Sequence, residues 1–171
     1  MTDYRSPTVV QQIIPLADMT PLEIWLLSLI FEARPSGDGL YMSSHSGPRD
    51  RITIDLADLR EAFAASAGFL GTAQQIAAQA LQRHGDTGGF IDIDVSLGWW
   101  DAVLQDIVKR STTLDHVSVV MIFPCEDMHS DGLGGLAMLI TAQAIRSKSL
   151  DDVLMDFLDE AEERGEIGPI A

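Results

Sequence analysis

Cysteine, basic residues and long apolar runs are all scarce in this sequence, and each scarcity excludes something. The one cysteine, Cys125, allows no intrachain disulfide and fits a reducing compartment better than secretion. Only 11 lysines and arginines stand against 26 acids, a formal charge of -15. Direct binding to nucleic acid or to an anionic membrane needs a positive field, so both are excluded as expectations, while a basic protein partner is allowed. The most apolar helical run, Ile24 to Phe31, is interrupted by Ser28 and falls far short of the roughly 20 residues that a span requires. The first residues, Met1 to Pro7, have no basic stretch leading into an apolar one, so no signal peptide is read and a cytoplasmic protein is expected. Gly-Lys-Ser/Thr, Gly-x-Ser-x-Gly and His-Glu-x-x-His are missing. Neither Gly-rich stretch, 85–89 or 131–135, follows a strand and opens a helix, as a phosphate loop must. No cofactor is implied.

What remains is enough for a globular chain. Hydrophobic residues make up 46% of the 171 and charged residues 22%, close to ordinary domain composition. The length fits one domain. Residues 1–19 read as an N-terminal arm or leader, 20–167 as a single α+β domain, and 168–171 as a tail.

In the arm, the β-branched segment Thr8 to Ile14 suits an edge strand, or an arm packed on the body or on a second subunit. Thr20-Pro21-Leu22-Glu23 opens the first helix with a capping box and proline at the first helical position. Arg34 to Gly39 reads as the turn that ends it. Short strands are expected near 39–45 and 51–55, joined by Ser46-Gly47-Pro48-Arg49. Asp55 caps a helix to about Ser66, and a second runs from Thr72 to about His84. Eight alanines between 62 and 80 suit a close αα-hairpin. Ile91, Ile93 and Val95 alternate with Asp92 and Asp94, a strand with one wet face. Ser96 is the expected cap of a helix burying Trp99 or Trp100, Val103, Leu104, Ile107 and Val108. Residues 116–123 are apolar on both faces and read as a central strand, and 136–141 read the same way. Ser149 caps a last helix whose Val153, Leu154, Phe157, Leu158 and Ala161 are expected to face the core. Strands and helices do not alternate steadily. The expected fold is therefore α+β, a mainly antiparallel sheet of about five strands with about five helices packed mostly on one face.

The densest set of potential ligands is Cys125-Glu126-Asp127-Met128-His129-Ser130-Asp131. Asp127, His129, Asp131 and Gly132 begin like a calcium loop, but Met138 occupies the place of the bidentate glutamate. One sulfur and one nitrogen are too few for zinc. As a nucleophile, Cys125 would need a base, His129 or His116, and no helix N-terminus follows to activate it. A solvated loop and a buried structural thiol outweigh Asp127, His129 and Asp131 as metal ligands and Cys125 and His129 as catalytic residues. Asp92 and Asp94 could hold a divalent ion, but the same spacing is common on exposed strand faces.

Charge is the strongest global feature. Residues 1–86 carry 10 acids and 6 bases, and residues 87–171 carry 16 and 5. From Asp151 to Glu166 there are eight acids and one base. Such a face serves solubility, or docks a basic partner. The reading that follows is a non-enzymatic protein-binding accessory, regulatory or inhibitor protein using Asp152, Asp156, Asp159, Glu160 and Glu163. The alternative is a small enzyme or metal-binding domain centred on 125–131. If the chain self-associates, a homodimer is the expected closed form.

Overall fold

In the computed structural model, residues 5–95, 98–124 and 133–168 are described. The strands are Thr8–Val10 (β1), Ile14–Pro15 (β2), Glu32–Ser36 (β3), Gly39–Ser44 (β4), Arg51–Asp55 (β5), Phe90–Asp94 (β6), His116–Pro124 (β7), Leu133–Thr141 (β8) and Ile145–Ser149 (β9). The helices are Pro21–Ile30 (α1), Leu56–Ala65 (α2), Thr72–His84 (α3), Trp99–Arg110 (α4) and Leu150–Glu163 (α5). Among the described residues the chain is α+β, with an antiparallel sheet and five α-helices.

That sheet has seven strands among the described residues, more than the five expected. Across it the order is β3, β4, β1, β7, β8, β9, with the two residues of β2 pairing β4 beside β1. The segment Thr8 to Ile14, expected as an edge strand or a packed arm, does not lie at an edge: β1 sits between β4 and β7. Thr8 pairs with Ser44 on one side and Met121 on the other, and Thr8 and Val10 are fully buried. Where β1 stops, the Gln12 side chain continues the ladder. Its Oε1 accepts the Ser118 backbone N–H at 2.7 Å.

Both unexpected strands are the sheet edges. β3 (Glu-Ala-Arg-Pro-Ser) forms a hairpin with β4 through Gly37, whose φ of 57° suits glycine. Among the described residues β9 (Ile-Arg-Ser-Lys-Ser) pairs only with β8. Proline, charge and short length are what keep an edge from recruiting another strand. They also erase the apolar alternation by which a strand is recognised.

Residues 51–55 and 90–94 form a separate two-stranded ribbon and do not join the main sheet. Side-chain pairing explains the choice. Ile52 faces Ile93 and Ile54 faces Ile91, giving the ribbon one apolar side. On the other side Arg51 lies opposite Asp94, and the Thr53 hydroxyl donates to Asp92 at 2.6 Å.

Helix α1 begins as its capping box requires: Thr20 Oγ1 accepts from the Glu23 N–H, and Glu23 Oε2 accepts from the Thr20 N–H at 2.8 Å. Glu23 is fully buried, and the same oxygen takes a bond from Arg110 at the end of α4 at 2.5 Å. Helix α4 starts at Trp99 after Gly98, whose φ is 73° and whose position carries no side-chain cap; Ser96, the expected cap, lies outside the described residues. Trp100 is the buried member of the tryptophan pair and meets Phe31 edge-on, with ring centres 5.3 Å apart. The core joins Leu22, Leu26, Leu27 and Ile30 of α1 to Val103, Leu104 and Ile107 of α4, and both to Val10, Met42, Val117, Val119 and Ile140 of the sheet. Ala73, Ala77 and Ala80 are buried where α3 closes against its neighbours, as the alanine run foretells.

Candidate docking surface

Residues paired directly across antiparallel strands share a face, and successive residues along a strand take opposite faces. One face of the central strands therefore carries Thr8, Val10, Val117, Val119, Met121, Met138 and Ile140. Its members include fully buried core residues. The other face carries Val9, Ser118, Val120, Ile122, Ala137 and Leu139, continued on β9 by Arg146 and Lys148. There Val120 is 40% exposed, Ile122 51% and Leu139 39%. The central-strand expectation for 116–123 is right about position in the sheet. It is wrong about cover: apolar residues on both faces read as two buried faces, and one is open.

α5 borders this open face. Ser149 is both the last residue of β9 and the N-cap of α5, and its hydroxyl accepts from the Asp152 N–H. Leu150 rests over Gly135, where an added Cβ would lie 3.3 Å from the leucine side chain. Beyond that point α5 touches β8 and β9 but buries none of its residues. The expectation that its apolar stripe faces the core fails. Val153, Leu158 and Ala161 are only half-buried, Leu154 is 56% exposed and Phe157 62%. α5 leaves β9 with no intervening linker, and the helices that fill the core, α1 and α4, meet the opposite side of the sheet's central strands through Val117, Val119 and Ile140.

Between β7, β8 and β9 the open face forms a shallow groove of about 660 Å³, lined by Ser118, Ala137, Met138, Leu139, Arg146, Ser147 and Lys148. Its floor is apolar and its cations sit on the outermost strand. Asp156 of α5 pairs with Lys148, and this hydrogen bond holds the lysine pKa above its ordinary value. Arg146 is exposed and pairs with no carboxylate among the described residues.

The five acids singled out from sequence are all exposed, but they are not equivalent. Asp152 completes a capping box, accepting from the Ser149 backbone N–H at 2.7 Å and its hydroxyl at 2.8 Å. The backbone bond, then the hydroxyl bond, hold its carboxyl below the usual range. Asp156 is engaged with Lys148, and Glu160 lies 3.4 Å from Arg164. Asp159 and Glu163 have no such partner among the described residues and, at 100° per residue, lie opposite the stripe of Leu150, Leu154, Phe157 and Ala161. Sequence reasoning found the acids and missed Arg146, Lys148 and the open strand face.

Cys125, Asp127, His129 and Asp131 lie outside the described residues. His116, the other base named for Cys125, sits at the far end of β7 from Pro124, about 26 Å away at ~3.3 Å per residue, and its Nδ1 is 2.5 Å from Asp115. Asp92 and Asp94 border a cleft of about 340 Å³ with Gln79, Arg83 and His84 of α3. Among the described residues, no three His, Cys, Asp or Glu side chains are grouped to hold a metal ion, and no helix is long and apolar enough to cross a membrane. No known protein family, curated protein or solved structure matches the chain.

Proposed function

We propose that the chain is a non-enzymatic protein-binding protein, of accessory, regulatory or inhibitor type, that presents α5 to a basic protein partner. One observation carries the reading: α5 is amphipathic and buries nothing, so it is displayed where α4 is packed. Contiguous apolar surface beyond a few hundred Å² marks an interaction site more often than it marks nothing. In this reading α1 and α4 cover one face of the sheet's central strands and the other is left for binding. The acids of α5 then contribute encounter rate and selectivity for a basic surface, so binding weakens as salt rises. A cytoplasmic setting belongs to the same reading and rests on the single thiol.

Hydrogen bonding within α5 selects the variant for the test. Reversing Asp156 or Asp152 would also remove the Lys148 pair or the helix cap. Asp159→Lys/Glu163→Lys changes the acidic arc alone. In affinity capture from the source cell at two salt concentrations, the wild type should retain a basic protein that salt releases, and the variant should lose it while melting cooperatively at an unchanged temperature. An identical set of captured proteins for both forms would show that the charge serves solubility.

A further inference from the structure

We propose that the apolar side of α5 and the open groove of β7–β9 are covered by a second copy of this chain, in a two-fold dimer where each α5 lies on the partner's groove. The inference rests on reading α5 as a displayed helix. It assigns an occupant to the helix's apolar side, where the functional reading uses the acidic side.

The two surfaces fit each other in both chemistry and charge. The groove has an apolar floor, Ala137 and Leu139 with Val120 and Ile122 beside them, and a cationic margin of Arg146 and Lys148. α5 has an apolar stripe, Leu150, Leu154, Phe157 and Ala161, with Asp151 and Glu162 on one shoulder and Asp156 and Glu160 on the other. The cation at the margin without a carboxylate partner among the described residues is Arg146, in a chain that carries only 11 bases. Three bases, Arg34, Arg146 and Lys148, and one acid, Glu32, fall on the open face of the strands by register, in a molecule with more than twice as many acids as bases.

The chain does not satisfy these surfaces by itself. No residue of α5 lines the groove, and the helix starts directly from Ser149 with no linker to carry it across the floor. Its first leucine is already fixed over Gly135, and Asp156 holds it to Lys148. A two-fold axis makes every such contact twice, because helix and groove belong to one self-complementary patch. The outward acids Asp159 and Glu163 stay free on both protomers, so the dimer presents the acidic arc twice.

The test is solution mass by light scattering and sedimentation at 10 to roughly 100 μM protein in ~0.15 M salt, where repulsion between the two acidic bodies is screened beyond ~8 Å. The wild type should approach twice 18.6 kDa. Phe157→Glu, at an exposed position, and Arg146→Glu, at the groove margin, should each weaken the dimer at least tenfold while keeping the wild-type circular dichroism and a cooperative melt. Mixing the two should restore partial assembly, since the intact helix of one meets the intact groove of the other. A monomer mass throughout the range overturns the proposal, as does a dimer that neither substitution weakens. Neither result touches the acidic arc, whose reading stands or falls on the Asp159→Lys/Glu163→Lys capture experiment.

Discussion

α4 and α5 are nearly matched as sequences and opposite as structures. Both are amphipathic, both directly contact β8, and they have 12 and 14 residues. α4 buries Trp100, Val103, Leu104, Ile107 and Val108, whereas α5 buries nothing. The sheet repeats the contrast at single-residue scale: Val119 is fully buried, and Val120 beside it is not. An apolar stripe tells a helix to find a surface; it does not say that the surface belongs to the same chain. α4 has the tertiary anchors that α5 lacks, among them the Arg110–Glu23 pair, the bond from Arg110 to Asp18 O and the Phe31–Trp100 contact.

The sharpest way to break this comparison is to disturb each side in turn. Arg110→Met leaves the Glu23 carboxylate buried without its cation and should cost about 3–5 kcal/mol in urea denaturation. Glu23 Oε1 and Arg110 Nη1 have no hydrogen-bond partner among the described residues. The pair is therefore incompletely satisfied, and Arg110→Met/Glu23→Leu should recover much of the loss. Leu104→Ala, at a fully buried site of α4, should cost about 2–5 kcal/mol. Leu154→Ala, its counterpart on α5, should change the stability of the isolated chain by less than about 0.5 kcal/mol. Equal costs at Leu104 and Leu154 would mean that α5 is part of the core in solution.

Amide exchange sharpens the same contrast without mutation. The α4 amides should exchange only on global unfolding, while those of α5 should open locally and exchange orders of magnitude faster. Protection of α5 that rises with protein concentration would trace its cover to a second copy.

Much of this architecture is legible in the sequence, and the illegible parts share a cause. The capping box at Thr20, the caps at Asp55 and Ser149 and the alanine hairpin are local signals, and each element starts where its signal places it. β3 and β9 escape notice because edge strands are built from Pro35, Arg146 and Lys148 rather than from alternating apolar residues. The ribbon of β5 and β6 is legible as two strands but not as a separate sheet, because partner choice depends on the cross-strand Ile52–Ile93 and Thr53–Asp92 pairs. The acids of the proposed docking surface are visible as composition. Its apolar half is not, because Val120, Ile122 and Phe157 read the same whether covered or bare.

The smallest expected effect lies at the hinge between the two regions, where β9 becomes α5. Asp152 carries a carboxyl pKa lowered by the Ser149 backbone N–H, then by its hydroxyl, with Lys148 a lesser cause. A lowered pKa means that the folded state binds its proton less readily than the unfolded chain. The stabilisation is therefore complete above the unfolded value of ~3.9 and disappears as pH falls through the lower folded value. Because Asp152 is exposed and α5 is not packed, this loss should fray the first turn of α5 without unfolding the core. Carboxyl-detected NMR should give Asp152 a midpoint below the ordinary aspartate value of ~3.9, and the Ser149 amide shift should follow the Asp152 titration. Ser149→Ala removes the hydroxyl bond but leaves the backbone N–H, so the Asp152 midpoint should rise only part of the way toward the ordinary carboxylate value. A full return would assign the whole effect to the hydroxyl, and no change would mean that the cap is open in solution. If the α4 resonances moved with the same midpoint, α5 would be coupled to the core, and the contrast between the two helices would fail.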